Sequence, residues 1–142
     1  MDMEPTMLTS DEINRITTVL ARWFGLDTLW LYGSQAEGTA RADSDVDLAA
    51  LFRRRPQGLE IFDARTELEE LLRCDVDLVD LDQAPPILAM QVLKHGRLLV
   101  DRNPSRRHDA FSRIVSLYED VKILRRESEQ AMFKRMSVGG PS

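Results

Sequence analysis

The sequence predicts an α/β (α+β) domain built on one small sheet with helices covering it. Three observations carry that expectation. Short apolar runs alternate with longer stretches whose apolar residues recur every three or four positions. Gly and Pro mark the joints between them. The chain then closes on one long helical segment. At 142 residues, with 43% hydrophobic and 30% charged residues, it has the size and composition of a single globular domain. Residues 1–103 are expected to form the domain proper, and 104–142 a C-terminal helix and tail within the same structural unit.

The elements follow in order. Thr9 or Ser10 caps a first helix whose opening turn carries Asp11 and Glu12, acids that complement the exposed amides of a helix start. Ile13, Ile16, Val19, Leu20 and Trp23 recur at helical spacing, and Gly25 is placed to end the helix. Thr28 to Tyr32 is an apolar and aromatic run suited to a buried strand, and Gly33-Ser34 ends it. Asp45 to Phe52 reads as a second strand, with Asp45, Asp47 and Ala49 on one side and Val46, Leu48 and Ala50 on the other. A turn at Pro56 and Gly58 leads to a helix over Leu59 to Arg73. A third strand runs from Asp75 to Leu81. Pro85-Pro86 opens a helix that Gly96 stops, and Arg97 to Val100 is a short fourth strand. After Asn103-Pro104, residues 105–136 read as one helix.

The net charge of −5 argues against a protein that grips a nucleic-acid backbone, which calls for a basic footprint. It leaves a nucleotide open as substrate, because a divalent cation can invert the local electrostatics. Cys74 is the single cysteine, so the chain forms no internal disulfide. Met1 to Ser10 lacks the charged-then-apolar pattern of a signal peptide, and no stretch reaches the 18 or so apolar residues of a membrane span. A cytoplasmic protein without membrane association is the expectation.

The chemistry is concentrated in Tyr32-Gly33-Ser34, ten further residues, and Asp45-Val46-Asp47. A glycine straight after an apolar strand lets the backbone turn sharply and approach a ligand. Amides just beyond Ser34 can open a helical turn, and amides at a helix start attract phosphate. Asp45 and Asp47 are two apart on a strand, so both carboxylates project from one face with Cα atoms about 6.5–7 Å apart. Two such acids repel each other, and a hard divalent cation removes the conflict. A third acid, from Asp75-Val76-Asp77-Leu78-Val79-Asp80, would complete a site for two metals. Such a pair of ions stabilises both the attacking and the leaving oxygen of an in-line displacement at phosphorus. Asp75 and Asp77 share a face, and Asp80 points away. The bland alternative is a surface turn beside a solvated strand edge, but four fixed positions arise by chance in a chain this long roughly once in several hundred cases.

Gly33-Ser34-Gln35-Ala36-Glu37-Gly38 followed by Ser44-Asp45-Val46-Asp47-Leu48 resembles the signature of the DNA polymerase β-like nucleotidyltransferase superfamily. Within it the chain is similar to the minimal nucleotidyltransferases, the MntA-like antitoxins that partner HEPN-domain toxins. The resemblance covers about residues 10–103. It implies the nucleotidyltransferase fold, a small mixed sheet flanked by helices, with ATP as co-substrate and two magnesium ions as cofactors. It further implies transfer of AMP to a tyrosine hydroxyl of a HEPN toxin, silencing that toxin. Gly33 and Ser34 would hold the triphosphate. Asp45 and Asp47 would ligate the metals, and Asp77 would ligate the catalytic metal and help activate the attacking hydroxyl. Asp75, a neighbour on the same face, is the competitor for that last role.

Arg41 inside the loop, and Arg53-Arg54-Arg55 after the second strand, could each meet phosphates or an acidic partner, although charge runs are usually solvated faces. Lys94 and His95 complement a helix end. His108 has no second ligand at zinc spacing, and Cys74 lacks the histidine of a thiol nucleophile. Trp23, Trp30 and Phe62 fall on apolar stripes and are expected in the core. The last helix carries more apolar residues than one stripe needs: Leu117, Leu124, Met132, Phe133 and Met136 suggest a partner-binding face. Two competing functions remain. One is a small-molecule nucleotidyltransferase of the aminoglycoside-modifying type, which ordinarily needs a larger acceptor domain. The other is an antitoxin that acts by docking alone.

Overall fold

A computed structural model of the protein describes residues 8–33 and 45–138. Helix α1 spans Ser10–Phe24. The Thr9 hydroxyl accepts from the Glu12 amide at 3.0 Å, and the Glu12 carboxylate accepts from the Thr9 amide at 2.9 Å. This reciprocal capping box is what the Thr-x-x-Glu spacing specifies. Gly25 ends the helix at φ 71°, a conformation that costs a residue with a side chain.

Strands β1 (Leu26–Tyr32), β2 (Val46–Phe52), β3 (Val76–Asp80) and β4 (Arg97–Asp101) form a mixed sheet in the order β3-β2-β1-β4. β1 pairs antiparallel with β2 and β4, whereas β2 and β3 are parallel. A parallel pair needs a crossover, which α2 (Glu60–Leu72) supplies. After β3 come a short 3-10 turn (Leu81–Gln83), α3 (Pro86–His95), β4 and α4 (Pro104–Val138). The mixed sheet, the flanking helices and the long last helix agree with the fold class read from the sequence.

β1 is central and buried from Leu26 to Leu31, which explains its unbroken apolar run. On one side of the sheet Ile16, Leu20 and Phe24 of α1 and Leu68 of α2 pack against Leu29, Leu31, Leu48 and Ala50. On the other, Ala89 and Val92 of α3 and Ala110 and Ile114 of α4 pack against Trp30, Ala49 and Leu51. Strand alternation therefore puts Tyr32, Asp47 and Asp77 on the second side, in line with Trp30, Ala49 and Val79.

The start of α4 is tied down by charge. Asp27, only 4% exposed, accepts from Arg53 Nε at 3.1 Å and Arg106 Nε at 3.0 Å. Arg106 also reaches the Phe52 carbonyl at 2.8 Å and Asp82 at 2.7 Å. Removing one partner of a buried pair strands the other charge. Arg106→Leu is therefore expected to destabilise the fold by about 2–3 kcal/mol, below the full penalty because Arg53 still serves Asp27. Urea unfolding with an unchanged m-value would show it.

Phe62 departs from expectation. It is 51% exposed, with the Arg65 guanidinium 4.7 Å from its ring centre. The buried line of α2 is Ala64 and Leu68, and a residue two before Ala64 lies on the far side of the helix. Trp30 is buried as expected, while Trp23 is half-buried and its ring N–H donates to Glu67 at 2.9 Å. Among the described residues no helix is long and apolar enough to cross a membrane.

Candidate active site

Strand register assembles the centre of the site. Tyr32 of β1 stands opposite Asp47 of β2, and Asp47 stands opposite Asp77 of β3. The three form one row across adjacent strands, about 4.8 Å apart, with their side chains on the same face. The Tyr32 hydroxyl donates to Asp77 Oδ2 at 3.1 Å. Asp45 lies just ahead of β2 and is exposed.

Gly33 takes φ +73°, and a Cβ placed there would overlap Asp47 Oδ2. The backbone leaving β1 thus lies directly against the carboxylate, a closeness that only glycine allows. Both the positive φ and the missing side chain are needed at this position.

Burial above all, then the negative charges of Asp77 and Asp45, push the Asp47 carboxyl up to about 6. The Tyr32 phenol is pushed above its ordinary range, first by burial and then by the charge and hydrogen bond of Asp77, so it stays a donor. A carboxylate raised this way destabilises the fold when ionised. In the absence of divalent cations, stability is expected to fall as pH rises from about 4 through 6 and to level off above that. The loss is on the order of 1 kcal/mol once solvent screening is allowed for. Thermal melts across that range in chelator would read it, and Asp47→Asn should flatten the profile.

Of the residues singled out from sequence, Gly33, Asp47 and Asp77 come together, with Asp45 close enough to act on Asp47 electrostatically. Ser34 and Arg41 lie outside the described residues. Asp75 stands ahead of β3, and its backbone carbonyl accepts the Val46 amide at 2.9 Å. Asp77, not Asp75, is level with Asp47. Asp80 sits at the far end of β3, where its side chain accepts from the Asp82 amide at 3.1 Å. Arg53, Arg54 and Arg55 also belong to that far end and pair with Asp27, Glu60 and Gln83.

Among the described residues no three His, Cys, Asp or Glu side chains stand close enough to hold a metal between them; Asp47 and Asp77 form a pair. The pair nonetheless fits a hard divalent cation. Its donors are all oxygen, the half-buried Asp47 is pressed by two negative neighbours, and a cation is what relieves such a cluster.

Tyr32 lies in the stretch that the sequence singles out, but its contact with Asp77 is visible only in the fold. Its signal was a polar-tipped aromatic at the last strand position before Gly33, on the same side as Trp30.

Residues 14–105 match the polymerase beta nucleotidyltransferase family, and the chain belongs to that family. Within it the chain is similar to the protein adenylyltransferases named MntA. It is 35% identical over 74 residues to the one from Shewanella oneidensis, a match covering 52% of this chain and 53% of that protein. It is 36% identical over 92 residues to the one from Thermococcus cleftensis, covering 62% of this chain and 93% of that protein. The match thus spans about half the length of the Shewanella relative and nearly all of the Thermococcus one. Among solved structures, a toxin-antitoxin crystallised with AMP-PNP superposes with TM-score 0.76 at 25% identity, over 89% of this chain and 99% of that one.

Proposed function

We propose that the chain is a magnesium-dependent protein adenylyltransferase that moves AMP from ATP onto a tyrosine hydroxyl of a partner HEPN toxin, and so acts as an antitoxin. The observation that carries the reading is the Asp47–Asp77 pair in register, with Gly33 pressed against it. The MntA relatives and the AMP-PNP-bound toxin-antitoxin support it.

Asp47 and Asp77 would hold magnesium, with Asp45 adding negative charge beside them, and the ion when bound would neutralise the carboxylates and the phosphate oxygens. The Gly33 turn would bring backbone amides to the triphosphate, with Ser34 and Arg41 adding a hydroxyl and a positive charge. Asp77 would accept the proton of the attacking hydroxyl. The new bond forms between that oxygen and the α-phosphorus as the bond to the β-phosphate oxygen breaks and pyrophosphate leaves. Catalysis of this kind is positioning and electrostatics, with no covalent enzyme intermediate.

The last helix supplies the partner surface in this reading. Its domain-facing side runs through Ala110, Ile114 and Val121 and continues as Leu124, 65% exposed, and Met132, 57% exposed. The segment after Val121 extends about 25 Å, and an isolated helix of that length is marginal in water. A bound toxin would cover it.

Catalysis and docking are separable. Asp45→Asn with Asp47→Asn is expected to co-purify with the toxin yet fail to rescue growth when the two are co-expressed. Full rescue by the double variant would show that docking alone neutralises the toxin.

A further inference from the structure

We infer that Tyr32 is a positioning residue for Asp77: its hydroxyl holds one oxygen of that carboxylate and leaves the other aimed at the reacting centre. The inference rests on the reading of Asp77 as the third acid of the site.

The two side chains differ in how firmly they are held. Tyr32 ends the central strand, and its ring is half-buried against the core that contains Trp30, Ala49 and Leu51. Asp77 lies on β3, an outer strand of the sheet, and its side chain is exposed. A carboxylate in that setting turns freely about two bonds, and ordering it at the moment of reaction costs entropy. The donor at 3.1 Å is fixed by the sheet, so it fixes Asp77 in turn.

Packing explains the ring but not the hydroxyl. A phenylalanine would fill the same space, and it would place no donor against Asp77. A tyrosine phenol carries its proton at neutral pH, so it acts as the donor in this bond. Asp77 has about four lone-pair positions and gives up one, leaving its second oxygen for a cation or for the acceptor proton. Tyr32 also directly precedes Gly33, so one strand end sets both the turn at Gly33 and the orientation of the third acid. Partners of this kind, which orient a metal-ligating carboxylate, typically matter about 10–100-fold in metal affinity or activity.

The test compares Tyr32→Phe, Asp77→Asn and the double variant by two readouts. One is calorimetric Mn2+ titration of the nucleotide-free protein. The other is steady-state transfer of AMP to the partner toxin, with melting curves as the control for folding. Tyr32→Phe is expected to melt as the wild type does, to bind Mn2+ about tenfold more weakly, and to lose about tenfold in kcat with KM for ATP unchanged. In the Asp77→Asn background the same change should cost nothing further, because the carboxylate it orients is gone. Wild-type Mn2+ affinity and kcat in Tyr32→Phe, with Asp77→Asn impaired, would overturn the inference alone. An equal loss in both backgrounds would make Tyr32 merely structural and overturn it as well. Wild-type behaviour of Asp77→Asn would instead overturn the third-acid reading on which the inference stands.

Discussion

Asp47→Asn is expected to lower nucleotidyl transfer by about 10^2–10^3-fold, the order lost when a group aimed at transition-state charge is removed, while the metal-free protein becomes more stable. Both effects have one cause. Asp47 is half-buried beside Asp77 and Asp45, and that setting lifts its carboxyl to about 6. Near neutral pH the ionised form is a liability to the fold and an asset to a bound cation. An amide keeps the shape and drops the charge, so the repulsion with Asp77 disappears. The checks are single-turnover transfer to the toxin and thermal melts in chelator. Added magnesium should stabilise the wild type strongly and the variant weakly, because ligand that binds only the folded state raises its stability. A variant that transferred normally would remove Asp47 from the mechanism.

Gly33→Ala should cost about 10^2-fold or more in transfer and destabilise the fold by about 1–2 kcal/mol. The stability loss follows from φ +73°, a left-handed conformation that penalises any side chain. The larger catalytic loss follows from geometry. The new methyl overlaps Asp47 Oδ2, so either the carboxylate or the backbone turn must move. Displacement by about 1 Å is enough for a hundredfold loss when catalysis is positioning. Gly58, with φ +53° and nothing near a would-be Cβ, is the control: alanine there should show backbone strain without loss of transfer.

Local signals were legible and pairing signals were not. Thr9 with Glu12, Gly25, Pro86 and Gly96 each mark a helix end by local chemistry, and each end falls where the sequence places it. Strand parity is also local: it places Asp47 on the side of Ala49, while Asp45, expected within the strand, falls just ahead of β2. The choice between Asp75 and Asp77 is not local, since the two share a parity. The parallel pairing of β2 with β3 aligns Asp47 with Asp77, and that alignment is what supports Asp77 in the proposed mechanism. The contact of Tyr32 with Asp77 is hidden for the same reason, because the partner lies 45 residues away across two strand pairings. The arginine run after β2 read as a candidate anion surface, yet Arg53 and Arg55 pair with Asp27 and Gln83, which only the fold brings near, and Arg54 pairs with Glu60 six residues on. Phe62 is apolar within an amphipathic helix, yet it stands on the far side of α2 from Ala64, so its ring is left exposed.

If the Gly33–Asp47–Asp77 cluster drives AMP transfer, the path of the label from ATP reveals it. The purified protein would be incubated with magnesium, the partner toxin and ATP labelled either at the α- or at the γ-phosphate. A labelled toxin band is expected from the α label alone, absent with the Asp45→Asn, Asp47→Asn variant. Label arriving from the γ-phosphate, or an α-labelled band that survives in the variant, would contradict that role for the cluster.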